Sequence, residues 1–219
     1  MRFLFISTLF ICLSANAQLG RVELSPEAGR LADMNTFNGV DIGDGSIKGS
    51  PFYLGGYKLG EVFVDGSSRG KTLLRYDGVN DELQFQKDNE TYNVVKKDKL
   101  KAIVDKTVFK IYTYEGEKQY FITYNTGKNS LLLKPKKKFV DVVKAQSGYS
   151  KDIPAKFVDQ YKYFILKNGE IQPIKLKKKD VLKVLSDKKS EIESFVSSKK
   201  LGYKKEKDLI KVMDYYNTL

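Results

Sequence analysis

The sequence predicts a mainly β fold of the α+β class: a curved antiparallel meander or partly open barrel with a C-terminal cap of about three short helices. Three observations predict it. Strand-like runs recur at intervals of about 8–12 residues, which is typical of meanders and barrels. Within residues 107–133 such runs alternate in polarity between short Gly-containing breaks. From Lys177 onward, the apolar residues recur instead at a helical period.

The first residues have the parts of a secretory signal peptide. Met1-Arg2 is a basic start, residues 3–13 form an apolar run, and Ala15-Asn16-Ala17 matches the small-residue cleavage pattern. We expect a signal peptide over residues 1–17 and export to the periplasm, the outer cell envelope or the medium. The apolar run is shorter than the roughly 20 residues of a spanning helix, so we expect no transmembrane segment.

The composition excludes several kinds of chemistry. The chain has no His and no Trp, and its single cysteine, Cys12, would leave with the signal peptide. A lipoprotein is a weaker alternative, because Ile11 stands where a small residue would be needed before Cys12. Ser-His-Asp and Cys-His catalysis, Cys/His zinc sites and disulfides are therefore excluded for the mature chain. We expect no metal and no cofactor.

Residues 18–50 predict an extended, partly ordered leader. They contain one aromatic residue, Phe37, several glycines and little periodicity. The acidic run at 41–45 lacks the alternating ligands and closing Glu of a calcium loop, so it indicates a turn.

Residues 51–176 predict the antiparallel β body. Asn168-Gly169 between two apolar runs is a strong hairpin signal, and Pro173 indicates that its strand lies at an edge or ends there. The predicted strands lie near residues 61–64, 72–76, 82–86, 91–95, 100–104, 107–114, 118–125, 130–133, 139–143, 156–167 and 171–176.

The runs within residues 107–133 predict a sheet with two partly apolar faces. Alternation places Phe109 and Ile111 opposite Tyr112 in the first run, and Tyr120 opposite Phe121 in the second. Turns are expected at residues 115–117 and 126–129. One face needs cover from the rest of the chain, and the other is left for the interior of the curved sheet or for a ligand.

Residues 177–219 predict three short helices. Each has an apolar stripe, and short helices are stable only when such stripes dock on an apolar surface, for which the sheet is available. Ser186-Asp187 is expected to cap the middle helix, and Gly202 to end it in the left-handed conformation.

Several motifs resemble a group of small, uncharacterised exported bacterial proteins. The motifs are GSPF at 49–52, LRYD at 74–77, NDELQF at 80–85, KKEKDLIK at 204–211 and YYN at 215–217. The resemblance covers most of the mature chain. No activity is established for the group, so the resemblance implies export and assigns no catalytic or ligand role.

Charge is distributed unevenly along the chain. Residues 18–90 carry 8 Lys/Arg and 12 Asp/Glu, residues 91–150 carry 13 and 5, and residues 151–219 carry 17 and 10. The basic excess thus lies in the second part. Because export removes the protein from nucleic acid, the available counterparts are an anionic envelope surface, an acidic glycan or an acidic protein. The alternative is that lysine serves only solubility.

Two groups of polar residues are candidate binding sites. The first could form an anion-binding patch at one end of the sheet, although lysines at strand ends also discourage aggregation. It comprises Lys134, Lys136, Lys137, Lys138, Lys175, Lys177, Lys178 and Lys179. The second could bind a small ligand or supply paired carboxylates, although it is also ordinary turn chemistry. It comprises Arg75, Tyr76, Asp77, Asp81 and Glu82.

These observations favour an exported, non-enzymatic cell-envelope protein that binds a partner through its curved sheet or its basic end. Two alternatives stay open. A carrier of a lipid or another apolar ligand would have an empty apolar cavity inside the sheet. A hydrolase would have to work through carboxylates alone, with two buried carboxyl groups about 5–10 Å apart across a cleft.

Overall fold

The computed structural model describes residues 47–88, 90–145 and 152–219, together with the short strands at 36–37 and 40–41. The expected signal peptide lies outside the described residues, as does most of the expected leader. Strands make up 49% of the structure and helices 19%, which confirms the mainly β class.

The described residues form fourteen strands in three antiparallel sheets. In chain order they are β1 (Thr36–Phe37), β2 (Val40–Asp41), β3 (Phe52–Val64), β4 (Ser67–Asp77), β5 (Glu82–Lys87), β6 (Glu90–Asn93), β7 (Leu100–Val104), β8 (Thr107–Tyr114), β9 (Glu117–Thr123), β10 (Ser130–Lys134), β11 (Lys137–Val140), β12 (Lys156–Asp159), β13 (Lys162–Lys167) and β14 (Glu170–Ile174).

The main sheet has ten strands in the order β14-β13-β10-β9-β8-β7-β3-β4-β5-β6, and it does not close into a barrel. Its edges are β14 and β6, so Pro173 of β14 lies on an edge strand as predicted. Strands β11 and β12 form a separate pair, as do β1 and β2.

The sheet curls so that its two halves pack across a concave inner face. Tyr76 of β4 stacks on Phe109 of β8, with ring centroids 5.1 Å apart, and meets Tyr120 of β9 edge-on at 6.1 Å. Since β4 and β9 are separated by three strands in the sheet order, these contacts bridge the interior. Fourteen buried side chains fill this face.

Three helices follow the sheet: α1 (Lys178–Val184), α2 (Lys189–Ser198) and α3 (Glu206–Tyr216). Their apolar stripes pack on Leu131, Ile165 and Ile174, so they cover the inner face at the β10–β14 side. The predicted helical cap is thus confirmed. Among the described residues, no helix has both the length and the apolarity to cross a membrane.

The predicted ends of the middle helix were wrong. Residues 186–188 form a separate 3₁₀ turn, and no side chain caps α2 at its start. After α2 ends, Lys200 takes the left-handed conformation (φ 52°), whereas Gly202 donates its N–H to Asp208. Gly202 therefore belongs to the connection into α3.

The connections between strands show which turns were readable locally. Glu115-Gly116 and Asn168-Gly169 both have positive φ at each position, which confirms two tight hairpins. The connection after β9 is longer than the expected turn, because β9 ends at Thr123 and β10 starts at Ser130. Its Asn129 is held by hydrogen bonds to Asn217 beyond α3.

The opposite, outer face of β8, β9, β10 and β13 carries a second apolar cluster. Phe121, Leu132 and Phe164 form its buried floor, and Tyr112 and Tyr114 pack over it. The predicted two-sided alternation within residues 107–133 is therefore confirmed. This outer face is the one that the three helices do not cover.

Candidate functional site

One end of the main sheet brings lysines from separate parts of the chain together. Strands β10 and β14 run in the same direction on either side of β13, so both end where β13 begins. Lys134 at the end of β10 lies directly opposite Lys162 at the start of β13. Lys136 follows after Pro135. The two lysine clusters predicted from the sequence thus emerge at the same end of the sheet.

These residues line a polar cleft with a volume of about 420 Å³, which we call the basic cleft. Its lining comes from the β4–β5 turn, the β6–β7 connection, the β8–β9 hairpin, and the end of the sheet formed by β10, β13 and β14. It comprises Gly78, Val79, Asn80, Asp81, Lys96, Tyr114, Glu115, Glu117, Gln119, Lys134, Lys136, Lys162, Phe164 and Pro173.

Asp81 is the most highly connected residue of the basic cleft. Its carboxylate accepts a hydrogen bond from the Tyr76 hydroxyl (2.6 Å) and pairs with Lys134 Nζ (2.6 Å) and Lys96 Nζ (2.8 Å). The Tyr120 backbone N–H also points at it, at 3.3 Å. Asp81 lies at the left-handed end of the β4–β5 turn (φ 59°), a conformation that Asp tolerates.

This arrangement completes hydrogen bonding where two strands separate. The pairing of β9 with β10 extends only over Thr123–Leu132 and Ile122–Leu133. Beyond it, the Tyr120 N–H donates to Asp81, and the Tyr120 carbonyl accepts from Lys134 Nζ at 3.2 Å. The ion pair therefore replaces the missing strand partner, and it joins the β4–β5 turn to the opposite half of the curled sheet.

Burial tunes the protonation of this network. Desolvation lowers the pKa of Lys134 to about 8, and the charge of Asp81 and its hydrogen bond oppose that change. Burial, followed by the charge of Asp81, raises the pKa values of Tyr76 and Tyr120. Near neutral pH Lys134 is therefore mostly protonated, and Tyr76 and Tyr120 are neutral.

The rest of the basic cleft is open to solvent. Lys136 and Lys162 are exposed, and neither forms an ion pair among the described residues. An apolar wall stands beside them: the partly exposed ring of Tyr114, which packs edge-on against the buried Phe164 with centroids 5.1 Å apart. The cleft can therefore attract an anion at one side and contact an apolar surface at the other.

The other predicted lysines are more dispersed. Lys137 pairs with Asp159, and Lys178 pairs with Glu193 at 2.8 Å. These ion pairs hold the two lysine side chains against nearby carboxylates, and neither lysine lines the basic cleft. The remaining members, Lys138, Lys175, Lys177 and Lys179, are exposed and do not line the basic cleft.

The predicted acidic group is divided between two faces of the sheet. Tyr76 and Asp81 point to the interior network already described. Arg75 lies on the outer face, sandwiched between Phe52 and Tyr57 at 3.9 and 4.3 Å from their ring centroids, and burial lowers its pKa. Its Nε donates to Gln84 at 2.8 Å.

Asp77 and Glu82 serve the turn and the neighbouring strand. Asp77 accepts the backbone N–H groups of Val79 and Asn80, which is ordinary turn chemistry. Glu82 accepts from Asn93 at 2.6 Å, and burial raises its pKa. Each predicted carboxylate thus has a structural partner.

Sequence reasoning missed Lys96, Lys162, Tyr114 and Gln119 as members of the cleft. Lys96 and Lys162 are single lysines in a lysine-rich chain, and no local pattern distinguishes them. Among the described residues, no group of three or more Asp, Glu, His or Cys side chains could hold a metal ion. No protein-family model, no curated protein and no solved structure matches this chain.

Proposed function

We propose that the mature protein is an exported, non-enzymatic binding module of the cell envelope that holds an anionic ligand in the basic cleft. The observation that carries this proposal is the pair of exposed lysines, Lys136 and Lys162, beside the wall of Tyr114 and Phe164. Neither lysine has a carboxylate partner among the described residues. Export is supported by the signal-like pattern of residues 1–17.

The lysines of the cleft fall into two groups: one holds the cleft in shape, and the other is available to a ligand. Lys134 and Lys96 share the single negative charge of Asp81 in one ion-pair network, which holds the cleft in shape. Lys136 and Lys162 form no ion pair among the described residues, although Glu115 and Glu117 line the same cleft. Lysine is a point charge without the fork of arginine, so the attraction is expected to be sensitive to salt and tolerant of anion geometry.

The two alternative functions, a carrier of an apolar ligand and a carboxylate-only hydrolase, find less support. The interior where an apolar ligand would lie is filled by buried side chains, including Tyr76, Phe109 and Tyr120. The carboxylates of Asp77, Asp81 and Glu82 are each engaged in hydrogen bonds or ion pairs. A binding role requires neither a free cavity nor a free carboxylate pair.

The test compares two double variants of equal charge. Lys136→Gln/Lys162→Gln removes the two open lysines, and Lys183→Gln/Lys211→Gln removes two exposed lysines from helices α1 and α3. Retention on immobilised polygalacturonate and on vesicles with anionic phospholipid is measured at low and high salt.

We expect the cleft variant to elute at clearly lower salt than the wild type from at least one of the two surfaces. The helix variant should elute close to the wild type. Equal elution of both variants on both surfaces would overturn the assignment of the cleft, because it would reduce the interaction to net charge.

A further inference from the structure

We propose that the anionic ligand is an extended, carboxylate-bearing polysaccharide, and that it lies along a row of lysines that crosses the uncovered outer face of the main sheet. This inference rests on the proposed function, since the row ends in the basic cleft. It adds the shape and chemistry of the ligand.

The row follows from the register of neighbouring strands. Phe63 of β3 pairs with Lys101 of β7, which pairs with Lys110 of β8, which pairs with Phe121 of β9. These four side chains therefore share the outer face in one line across the strands.

The same line continues into the basic cleft. Lys134 follows Leu133 on β10, and its Nζ lies 5.2 Å from the centroid of the Phe121 ring. Lys134 then pairs directly with Lys162 of β13. Strand spacing of about 4.8 Å gives a distance of about 19 Å between Lys101 and Lys162, four strands apart. Phe121 and Lys134 are buried, so we call the accessible members of this line, Phe63, Lys101, Lys110 and Lys162, the lysine row.

The far end of the lysine row has a cleft of its own. It has a volume of about 410 Å³ and is lined by Phe63, Gly66, Lys99, Leu100, Lys101, Lys110, Ile111 and Tyr112. Lys101 Nζ lies 4.1 Å from the centroid of the Phe63 ring. Tyr112 and Tyr114 stand two residues apart on β8, so they connect this cleft with the basic cleft along the outer face.

Charge within the row points to an anionic occupant. Lys101 and Lys110 are directly opposite each other, an arrangement of like charges that destabilises an antiparallel pair. Among the described residues neither one forms an ion pair. A ligand with repeated negative charges would relieve this repulsion at Lys101 and Lys110 and reach Lys162 along the same line.

The shape of the surface favours a polysaccharide over a compact anion. Two clefts at opposite ends of the lysine row suit a chain longer than either cleft. Partly exposed tyrosine rings beside the lysines offer apolar contact to sugar rings, whereas the lysine ammonium groups attract carboxylates without bidentate geometry. The occupant is therefore expected to combine ring surfaces with regularly spaced carboxylates.

The experiment uses the full mature chain and measures affinity by fluorescence anisotropy. The probes are a labelled galacturonate trimer, a galacturonate dodecamer, the fully methyl-esterified dodecamer and polyglutamate of matched length. The variants are Lys101→Gln/Lys110→Gln, Lys136→Gln/Lys162→Gln, and the helix control Lys183→Gln/Lys211→Gln. Circular dichroism checks that each variant is folded.

We expect the dodecamer to bind more tightly than the trimer, and the esterified dodecamer to bind much more weakly. Lys101→Gln/Lys110→Gln should weaken dodecamer binding about fivefold, from two surface charge contacts, and should leave trimer binding unchanged. Lys136→Gln/Lys162→Gln should weaken the binding of both oligomers.

Other outcomes separate this inference from the proposed function. If only the cleft variant weakens binding, the lysine row is overturned and the basic cleft stands. If neither galacturonate oligomer binds more tightly than the esterified dodecamer, the proposal that the ligand is an acidic polysaccharide is overturned. If polyglutamate binds as tightly as the dodecamer, the partner is an acidic protein instead. If the cleft variant binds every charged probe like the helix control, the proposed function also fails.

Discussion

Replacing Asp81 by asparagine tests whether the ion pair with Lys134 holds the curled sheet together. Asparagine keeps an acceptor for the Tyr76 hydroxyl and the Tyr120 N–H, but it removes the charge that faces Lys134 and Lys96. The side chain of Lys134 is only 10% exposed, and that of Asp81 19%. The substitution therefore leaves a buried cation without its counter-charge.

The magnitude follows from this burial. Breaking a buried pair by removing one partner costs about 3–5 kcal/mol, and the partial exposure of Asp81 places the expected loss near the lower end, about 3 kcal/mol. Lys134→Met should cost less, about 1 kcal/mol, because Asp81 keeps Lys96 and both hydrogen-bond donors. The double variant should be more stable than Asp81→Asn alone.

The assay is equilibrium urea denaturation near pH 7. The chain has no Trp, so far-ultraviolet circular dichroism or tyrosine fluorescence reports unfolding. The free energy of unfolding is compared among the wild type, both single variants and the double variant. A loss below about 1 kcal/mol for Asp81→Asn, or an equal loss for Lys134→Met, would refute the reasoning from the buried pair.

Three further predictions concern pH, the C-terminal helix and the buried arginine. The free energy of unfolding should rise above about pH 8, because folded Lys134 (pKa about 8) loses its proton before an unfolded lysine with a pKa of 10.5 does. It should fall above about pH 10, because burial raises the pKa of folded Tyr120 above the 10.0 of an unfolded tyrosine. Urea midpoints measured across this range should show both limbs, and Lys134→Met should lose only the rising one. Asn217→Ala should lower the free energy of unfolding by about 2–3 kcal/mol, because it removes three hydrogen bonds to Asn129. Lys211→Gln, at an exposed position of α3, serves as the control. Arg75→Met should lower the free energy of unfolding by about 1–2 kcal/mol, because it removes two cation–ring contacts and one hydrogen bond. An unchanged urea midpoint would show that Arg75 contributes only packing between the two rings.

The helical cap and the strand body could be predicted because their signals are local. The alternation of Phe109 and Ile111 against Tyr112 specifies two faces of a strand whatever its neighbours are. Asn168-Gly169 tolerates positive φ at both positions, so its hairpin is also encoded within a few residues. The ends of α2 were predicted less well, because Lys200 adopts the left-handed conformation expected of Gly202.

The candidate site was predicted only in part. The lysine cluster and the acidic turn each pointed to real members of the basic cleft, Lys134, Lys136 and Asp81. Their pairing was not foreseen, because a lysine after one strand and an aspartate in a distant turn carry no local sign of contact. The same applies to Lys162, whose position depends on β13 lying beside β10.

The sequence by itself determined that this chain forms strands with two apolar faces and ends in short amphipathic helices. It also determined that His, disulfide and Cys/His metal chemistry are excluded from the mature protein as we expect it to be processed. Only the tertiary structure decided that β3 lies between β4 and β7, and that Lys101, Lys110 and Lys162 fall on one line. The physical reason is that alternation and turn propensity act over a few residues, whereas strand order and register depend on hydrogen bonds and burial between distant segments.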